Sequence, residues 1–267
     1  MFPNTSSPAE SLPQLQLTKA LWYEHHRRDL LAGKNYVALR KTYRVQKELL
    51  SAEFNGKYWD QQFAQPSTEQ PIEEWRYAQV VKFLVDGKNV LNIGVGGGRL
   101  EEILAGRLPK LKYTGTDITR KALRQLQKTY PQWKFQYAEL KQLPFAAETF
   151  EQVLFLQVLE HISAAETFSV LAELVRVLKK NGQAIMSVPL VEKLTASSTQ
   201  RDQFQRLYST ALFRFELEEA GLEVVKLATA AAFAKHFKIK HLLNSLFHFR
   251  SPNCAVAVCR KKSGLQK

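Results

Sequence analysis

Residues 90–104 read VLNIGVGGGRLEEIL and carry the strongest signal for the fold of this chain. A short apolar run, 90–93, leads directly into Gly94, Val95 and three consecutive glycines, and a helical pattern begins at once. Glycine lets the backbone turn sharply and approach a ligand closely, and the free amides at a helix N-terminus face an anion. The stretch therefore predicts a buried strand, a ligand-binding turn and a helix in immediate succession.

The spacing of the glycines argues against one large class of nucleotide site. The dinucleotide fingerprint G-x-G-x-x-G would need its third glycine at position 99, and that residue is Arg99. The pattern here is G-x-G-G-G. A glycine-rich strand–turn–helix is only moderately specific by itself, so the flanking sequence has to identify the ligand.

From residue 87 onward, short apolar runs alternate with amphipathic helical patterns, which is typical of a parallel sheet covered by helices on both faces. The predicted strands are 90–93, 113–116, 133–137, 153–157, 184–188, 222–227 and 254–259. The predicted helices are 72–84, 99–107, 120–130, 164–180 and 210–220. The fourth helix is the best marked, because Ser163 and Glu166 form a capping box at its start and Asn181-Gly182 ends it.

Three segments depart from this alternation. Residues 1–18 are rich in proline and serine and are predicted to be a mobile lead-in, and 19–71 is predicted to be a helical, aromatic extension. The main domain is expected over 72–262, with a cap insert at about 228–252. The apolar helical stripe of that insert is open to three interpretations: core packing, a lid over an acceptor pocket, or a helix lying on an anionic membrane.

Composition excludes several classes of protein. The chain has 267 residues, of which 45% are hydrophobic and 24% charged, so wholesale disorder is not expected. No apolar run approaches the roughly 18 residues that cross a bilayer. No apolar stretch follows the first basic residue, Lys19, so no secretory signal is expected. Cys254 and Cys259 lie five apart on a predicted strand and face opposite sides, which favours unpaired thiols and a cytoplasmic location.

The net charge of +13 is concentrated towards the C-terminus. Residues 226–267 contain nine lysines or arginines and no acidic residue. Such a region can attract phosphates, anionic lipid headgroups or acidic substrates, although it can equally serve only solubility.

Two acidic residues follow predicted strands at positions that suit a nucleoside. Asp117 ends the second strand, where a carboxylate can accept hydrogen bonds from ribose hydroxyls. Glu139 follows the third strand, four residues before Leu143, and can reach an exocyclic adenine amine. The alternatives are a helix-capping aspartate and an ordinary exposed loop glutamate.

Four blocks in order and in register give the sequence a family resemblance. They are VLNIGVGGG, TGTD, LPFAAETFEQVLFLQVLEHI and ELVRVLKKNGQAIMSVP. Over roughly residues 72–260 the chain resembles the class I S-adenosylmethionine-dependent methyltransferases, in particular the quinone and small-molecule group. The resemblance implies a Rossmann-like α/β fold: a seven-stranded, mostly parallel sheet with helices on both faces, ending in an antiparallel hairpin, here preceded by the helical N-terminal extension.

The resemblance also implies how the methionine part of S-adenosylmethionine would be held. Gly94, Gly96 and Gly98 would shape its pocket, and Gln157 at the end of the fourth strand would contact it. The residue two before Gly94 is usually acidic in this family and is Asn92 here. An amide can orient the turn but adds no charge next to the ammonium or sulfonium group.

The adenosine part would be held further along the same edge. Asp117 would bind the ribose and Ile118 would pack on the adenine ring. Glu139 would accept from the adenine amine, and the Leu140 amide would meet the ring.

Candidate catalytic residues are few. His161 follows Glu160 after the fourth strand, at the carboxyl edge where ligands bind, and is the candidate base if the acceptor must lose a proton. A histidine near a helix start can also be purely structural. The six histidines and two cysteines show no metal-ligand spacing, so no metal is expected.

The sequence therefore predicts a cytoplasmic enzyme that transfers a methyl group from S-adenosylmethionine to a small-molecule, lipid-linked or glycan acceptor, at oxygen. The basic C-terminal region allows peripheral membrane contact. Two alternatives stay open: methylation of RNA, suggested by the positive charge, and a non-catalytic binding module that keeps the fold, suggested by Asn92.

Overall fold

A computed structural model of the chain describes residues 71–162, 166–190, 208–231 and 252–262, together with Trp59 and Asn244. The helices are α1 (Pro71–Phe83), α2 (Arg99–Arg107), α3 (Arg120–Thr129), α4 (Thr167–Val177) and α5 (Thr210–Glu219). The strands are β1 (Asn89–Ile93), β2 (Lys112–Asp117), β3 (Lys134–Tyr137), β4 (Phe150–Leu156), β5 (Leu178–Pro189), β6 (Leu222–Ala230) and β7 (Cys254–Lys261). A short 3₁₀ turn, Leu159–His161, follows β4.

The seven strands form one sheet in the order β3-β2-β1-β4-β5-β7-β6. The first five are parallel, and β7 runs antiparallel to both β5 and β6. The order reverses between β1 and β4, which places a crevice at their carboxyl ends. The predicted seven-stranded, mostly parallel α/β fold is confirmed.

Alternate residues of the central strands contribute to two separate hydrophobic cores, one on each face of the sheet. Leu91 and Phe155 face one side of the sheet and pack with α4 and α5. Their neighbours Val90 and Leu154 face the other side and pack with α1 and α2. This alternation follows from the two-residue period of a strand, and central strands buried on both faces read as continuous apolar runs.

The fourth predicted helix ends earlier than the sequence suggested. It stops at Val177 rather than at 180, because Leu178 pairs with Phe150 and begins β5. Asn181, at φ 61°, and Gly182 lie in an irregular part of β5 and do not cap the helix. The capping box is also wrong in its placement, since Glu166 is the N-cap residue. Ser163 lies outside the described residues.

Several predictions fall largely outside the described residues, namely those for 1–18, for 19–71 and for the cap insert at 228–252. The described part shows that β6 continues to Ala230, so the first residues of the predicted insert belong to the sheet. Cys254 and Cys259 are buried, unpaired thiols. None of the described helices is both long and apolar enough to cross a bilayer.

Candidate functional site

The glycine-rich turn lies where the carboxyl ends of β1 and β2 meet. The backbone amides of Gly94 and Val95 both donate to the Thr116 carbonyl, at 2.7 and 3.1 Å. These bonds hold the start of the turn against β2, so the rest of the turn, 96–98, forms the bridge between β1 and α2. The turn is thus fixed at the edge where open α/β sheets bind ligands.

Three glycines of the turn adopt a left-handed backbone. Gly94, Gly96 and Gly98 have φ values of 83°, 56° and 84°. A Cβ atom at Gly94 would lie 2.5 Å from a methyl of Val158, and one at Gly98 would overlap Leu126. Gly97, in contrast, has open space around the position of a Cβ atom. Sterics inside the protein therefore demand glycine at 94 and 98, whereas Gly97 faces outward.

Asp117 ties the turn to the next strand end. Its Oδ2 accepts from the Gly96 amide at 2.9 Å, and its Oδ1 accepts from the amide and hydroxyl of Thr119 at 2.9 and 2.6 Å. The side chain is nearly buried, with 9% of the residue exposed. An ionised carboxylate has about four acceptor positions, so three protein donors leave capacity for a ligand hydroxyl.

The residues predicted for adenine lie further along the same edge. Ile118 and Leu140 are half-buried, and Glu139 is exposed. Glu139 accepts a hydrogen bond from the Tyr137 hydroxyl at 2.9 Å. The Arg120 guanidinium lies 4.1 Å from the centre of the Tyr137 ring. Glu139 is thus exposed and oriented by a neighbouring hydroxyl.

Gln157 is held in a strained conformation directly after β4. Its φ of 55° is uncommon for a residue with a side chain and costs about 1–3 kcal/mol. Two hydrogen bonds to Ser187 of β5 maintain it: the backbone amide donates to the carbonyl at 2.9 Å and Nε2 donates to the hydroxyl at 3.1 Å. Strain of this kind is concentrated at functional sites.

A buried polar cluster under the turn was missed in the sequence. Asn92 Nδ2 donates to Glu101 Oε1 at 3.1 Å, and the Tyr113 hydroxyl donates to the same oxygen. Glu101 is fully buried. Its helical spacing was the available signal, since it precedes the buried Leu104 by three residues and so shares its inward face.

The candidate base lies in a largely buried setting near the end of β4. The side chain of His161 is 14% exposed, and its Nε2 is 3.9 Å from Glu160 Oε1. The ring of Trp59 meets the imidazole edge-on, with 4.6 Å between ring centres. A residue of the N-terminal extension therefore packs on His161, which the sequence did not reveal.

Glu160 has an unusual protonation state for a glutamate. Burial raises its pKa to about 8, although its backbone hydrogen bond and the positive charge of Arg76 oppose the rise. At neutral pH the neutral acid therefore predominates beside His161. Among the described residues no cluster of three or more histidine, cysteine or carboxylate side chains could hold a metal ion.

Comparison with known proteins shows which family the segment containing the glycine-rich turn is similar to. A family model described as a methyltransferase domain matches residues 90–182. A ubiquinone/menaquinone biosynthesis C-methyltransferase from Desulfotalea psychrophila is 33% identical over 118 residues, which are 42% of this chain and 46% of that protein. The chain thus matches less than half the length of this relative.

Solved structures reproduce the fold at low identity. Phosphoethanolamine N-methyltransferase 2 from Haemonchus contortus, in complex with S-adenosyl-L-methionine, is 14% identical with a TM-score of 0.59, and the match covers 82% of this chain and 60% of that one. The [4+2]-cyclase SpnF is also 14% identical with a TM-score of 0.57, covering 70% and 80%. These likenesses show the fold alone, and the cyclase shows that the fold also carries another activity.

The geometry of the turn fits S-adenosylmethionine, the ligand of the Haemonchus contortus structure. The exposed Gly97 leaves the backbone uncovered at the start of α2, and Asp117 keeps an acceptor position for a ligand hydroxyl. Strand order, turn geometry and the matched domain all indicate a methyltransferase-type fold. Residues 90–182 of this chain match a methyltransferase domain, and the described sheet has the fold of solved methyltransferases.

Proposed function

We propose that this protein transfers the methyl group of S-adenosylmethionine to an oxygen of a small-molecule, lipid-linked or glycan acceptor. The observation that carries the proposal is the hydrogen bond from the Gly96 amide to Asp117 at 2.9 Å. It holds the glycine-rich turn and the proposed ribose-binding carboxylate together in one rigid cradle.

The cofactor would be held in two parts. Gly94, Gly96 and Gly98 would surround the methionine part, with Gln157 presented to it from the end of β4. Asp117 would accept from the ribose, while Ile118 would cover one face of the adenine. Glu139 and the Leu140 amide would meet the hydrogen-bonding edge of the ring.

Methyl transfer demands little covalent chemistry from the protein. When bound, S-adenosylmethionine supplies an electrophilic methyl group on a positively charged sulfur. The residues of the chain have to hold the acceptor atom in line with that group at near-attack distance and exclude water. Trp59, which packs on His161, and Val158, which lies next to Gly94, are apolar groups suited to excluding water there.

An oxygen acceptor must also lose its proton, and His161 is the proposed base. Its imidazole is largely buried at the carboxyl edge, next to a glutamate that is mainly neutral at pH 7. A carbon acceptor activated by neighbouring oxygens would use the same base, and the curated relative is a C-methyltransferase of quinone biosynthesis. We propose methyl transfer to oxygen. Methyl transfer to carbon is the alternative that the test distinguishes from it.

The test uses the full chain and S-adenosylmethionine labelled in the methyl group. The labelled cofactor and purified protein are incubated with cell extract, which is then separated into lipid, small-molecule, polysaccharide, RNA and protein fractions. Label in one of the first three fractions is expected, in an alkali-stable methyl ether or an alkali-labile methyl ester. A labelled methyl group bound to carbon would assign carbon transfer instead. Binding of neither S-adenosylmethionine nor S-adenosylhomocysteine to folded protein would contradict the proposal.

RNA is the second candidate acceptor, because one described surface favours it. Lys121, Arg124 and Lys128 lie exposed along one stripe of α3, a helix that contains no acidic residue. Phosphate binding through such a stripe would weaken steeply with salt. Label in the RNA fraction, together with RNA binding that falls at least tenfold between 50 and 200 mM salt (roughly, for several phosphate contacts), would favour this candidate.

A further inference from the structure

The loop that follows β3 carries two of the residues proposed for adenine, and its backbone is tied down along its length. At its start, the Ala138 amide donates to the backbone carbonyl of Asp117 at 3.2 Å, which fixes the loop against the end of β2. Further along, the Gln142 amide donates to the Glu139 carbonyl at 3.2 Å and closes a tight turn. The placement of Glu139 and Leu140 therefore depends on what holds the far end of this turn.

The far end of the loop is held by two charged side chains of α4, Glu173 and Arg176. Arg176 donates from Nη1 to the Phe145 carbonyl at 2.8 Å and from Nη2 to the Leu143 carbonyl at 3.1 Å. Glu173 Oε2 accepts from the Leu143 amide at 2.9 Å. The two side chains thus bind three backbone groups of the loop, at residues 143 and 145.

The two side chains are also bonded to each other, so each one fixes the position of the other. Arg176 Nε donates to Glu173 Oε1 at 2.7 Å, and Arg176 Nη2 donates to Glu173 Oε2 at 2.8 Å. This bidentate arrangement uses the planar fork of the guanidinium and is stronger than an ordinary surface ion pair. The hydrogen bond from Arg176 lowers the pKa of Glu173, so the carboxylate is charged at neutral pH.

Apolar contacts anchor the same end of the loop but do not orient its backbone. Leu143 is buried in the core, and the Phe145 ring meets Phe150 edge-on with 4.9 Å between ring centres. Hydrophobic contact is non-directional, whereas a hydrogen bond fixes the direction of the backbone group that makes it. Glu173 and Arg176 therefore set the direction in which the chain leads back to Glu139.

Recognition of adenine would depend on the relative placement of two groups in this loop. The Glu139 carboxylate is an acceptor and the Leu140 amide is a donor, and they match the amine donor and a ring-nitrogen acceptor of adenine. Hypoxanthine presents the reverse, with an oxygen in place of the amine and an N–H at that ring nitrogen. A rigid loop would reject hypoxanthine because both protein groups would be left unpaired, whereas a mobile loop could shift to accept it.

We propose that Glu173 and Arg176 are positioning residues for the base of the cofactor, because they hold the loop 138–145 rigid and so maintain its preference for adenine over hypoxanthine. The inference rests on the proposed function, which assigns Glu139 and Leu140 to the adenine ring. Glu173 and Arg176 act through the backbone of residues 143 and 145, and neither is assigned a contact with the ligand.

Calorimetry with two ligands tests this role without relying on activity. The ligands are S-adenosylhomocysteine and S-inosylhomocysteine, in which hypoxanthine replaces adenine. The wild-type protein should bind the first at least about tenfold more tightly, as expected when a charged acceptor loses its donor. Arg176→Gln should weaken S-adenosylhomocysteine at least about fivefold and S-inosylhomocysteine less than about twofold, because the loop is then free to adapt to either base.

The matched control is Arg214→Gln on α5. Arg214 is exposed to a similar degree as Arg176 and also pairs with a glutamate of its own helix, Glu218, at 3.2 Å. Its helix packs on β6, which lies at the opposite edge of the sheet from β3. This control should bind both ligands as the wild type does.

Two results with Arg176→Gln would overturn the positioning role: equal weakening of both ligands, which is the mark of a merely structural residue, and no change in either. If Arg176→Gln does not fold, Glu173→Gln should reduce the preference for adenine in the same direction, and an unchanged preference would overturn the role.

The wild-type measurements separate this inference from the proposed function. Wild-type protein that binds neither ligand would remove both. Equal affinity of the wild-type protein for the two ligands would remove the assignment of Glu139 to adenine, and the positioning role with it. A wild-type preference for adenine that both variants retain in full would remove the positioning role alone.

Discussion

The Asp117 carboxylate accepts a hydrogen bond from the backbone amide of Gly96 at 2.9 Å, across the gap between the ends of β2 and β1. The two residues are 21 apart in sequence. Their contact makes the glycine-rich turn and the proposed ribose-binding group one unit. Changes at Asp117 should therefore affect both the shape of the turn and its affinity for a nucleoside.

Asp117→Ala should weaken binding of S-adenosylhomocysteine at least tenfold, because a charged acceptor for the ribose and for the Gly96 amide is lost together. Isothermal titration calorimetry measures this directly. Thr119→Val, which removes only the hydroxyl bonded to the other carboxylate oxygen, is the matched control and should cost less affinity. Affinity of Asp117→Ala within twofold of the wild type would contradict the proposed cradle.

Gly98→Ala and Gly97→Ala should differ in stability although the residues are adjacent. Gly98 has φ 84° and its Cβ would overlap Leu126, so alanine there should lower the free energy of unfolding by about 1–3 kcal/mol. Gly97 is outside the left-handed region and has open space around it. Gly97→Ala should therefore lower the free energy of unfolding by less than about 1 kcal/mol. Urea denaturation of both variants measures the difference, and equal losses would show that the turn is not strained.

Glu160 should make the stability of the protein pH-dependent. Its folded pKa of about 8 lies above the unfolded value of 4.5, so the folded state binds the proton more tightly. This tighter proton binding stabilises the folded state fully below pH 4.5. The stabilisation, up to about 5 kcal/mol in the free energy of unfolding, is lost as the pH rises through about 8. Glu160→Gln should make the free energy of unfolding less dependent on pH, as measured by urea denaturation between pH 5 and pH 9. Parallel wild-type and variant curves would show that Glu160 is ionised throughout.

His161→Gln should lower kcat for methyl transfer about 100-fold, the lower end of the effect of a general base. Binding of S-adenosylhomocysteine should change less than twofold, because His161 is assigned to the acceptor side. Single-turnover kinetics over a range of pH, with calorimetry as the control, separates the two effects. A kcat within twofold of the wild type would assign His161 a structural role beside Trp59.

Much of the fold could be predicted from sequence because its signals are local. Apolar runs such as 90–93 are continuous because both faces of the central strands are buried, and the glycine pattern marks a turn that only glycine can adopt. The ends of one helix were predicted wrongly. Val177 ends α4 three residues early because pairing of Leu178 with Phe150 outweighs the local Asn181-Gly182 signal.

Local sequence patterns were enough to predict the layered α/β architecture, the position of the glycine-rich turn and the order of the candidate cofactor residues along the chain. Which polar groups lose contact with water, in contrast, depends on the tertiary structure. Asn92 and Glu101 are nine residues apart yet share one buried cluster with Tyr113, and Glu160 is buried near Arg76 of α1. Burial depends on elements that come from distant parts of the chain and pack together. It sets the protonation state of a carboxylate and limits which hydrogen-bond partners its oxygens can reach.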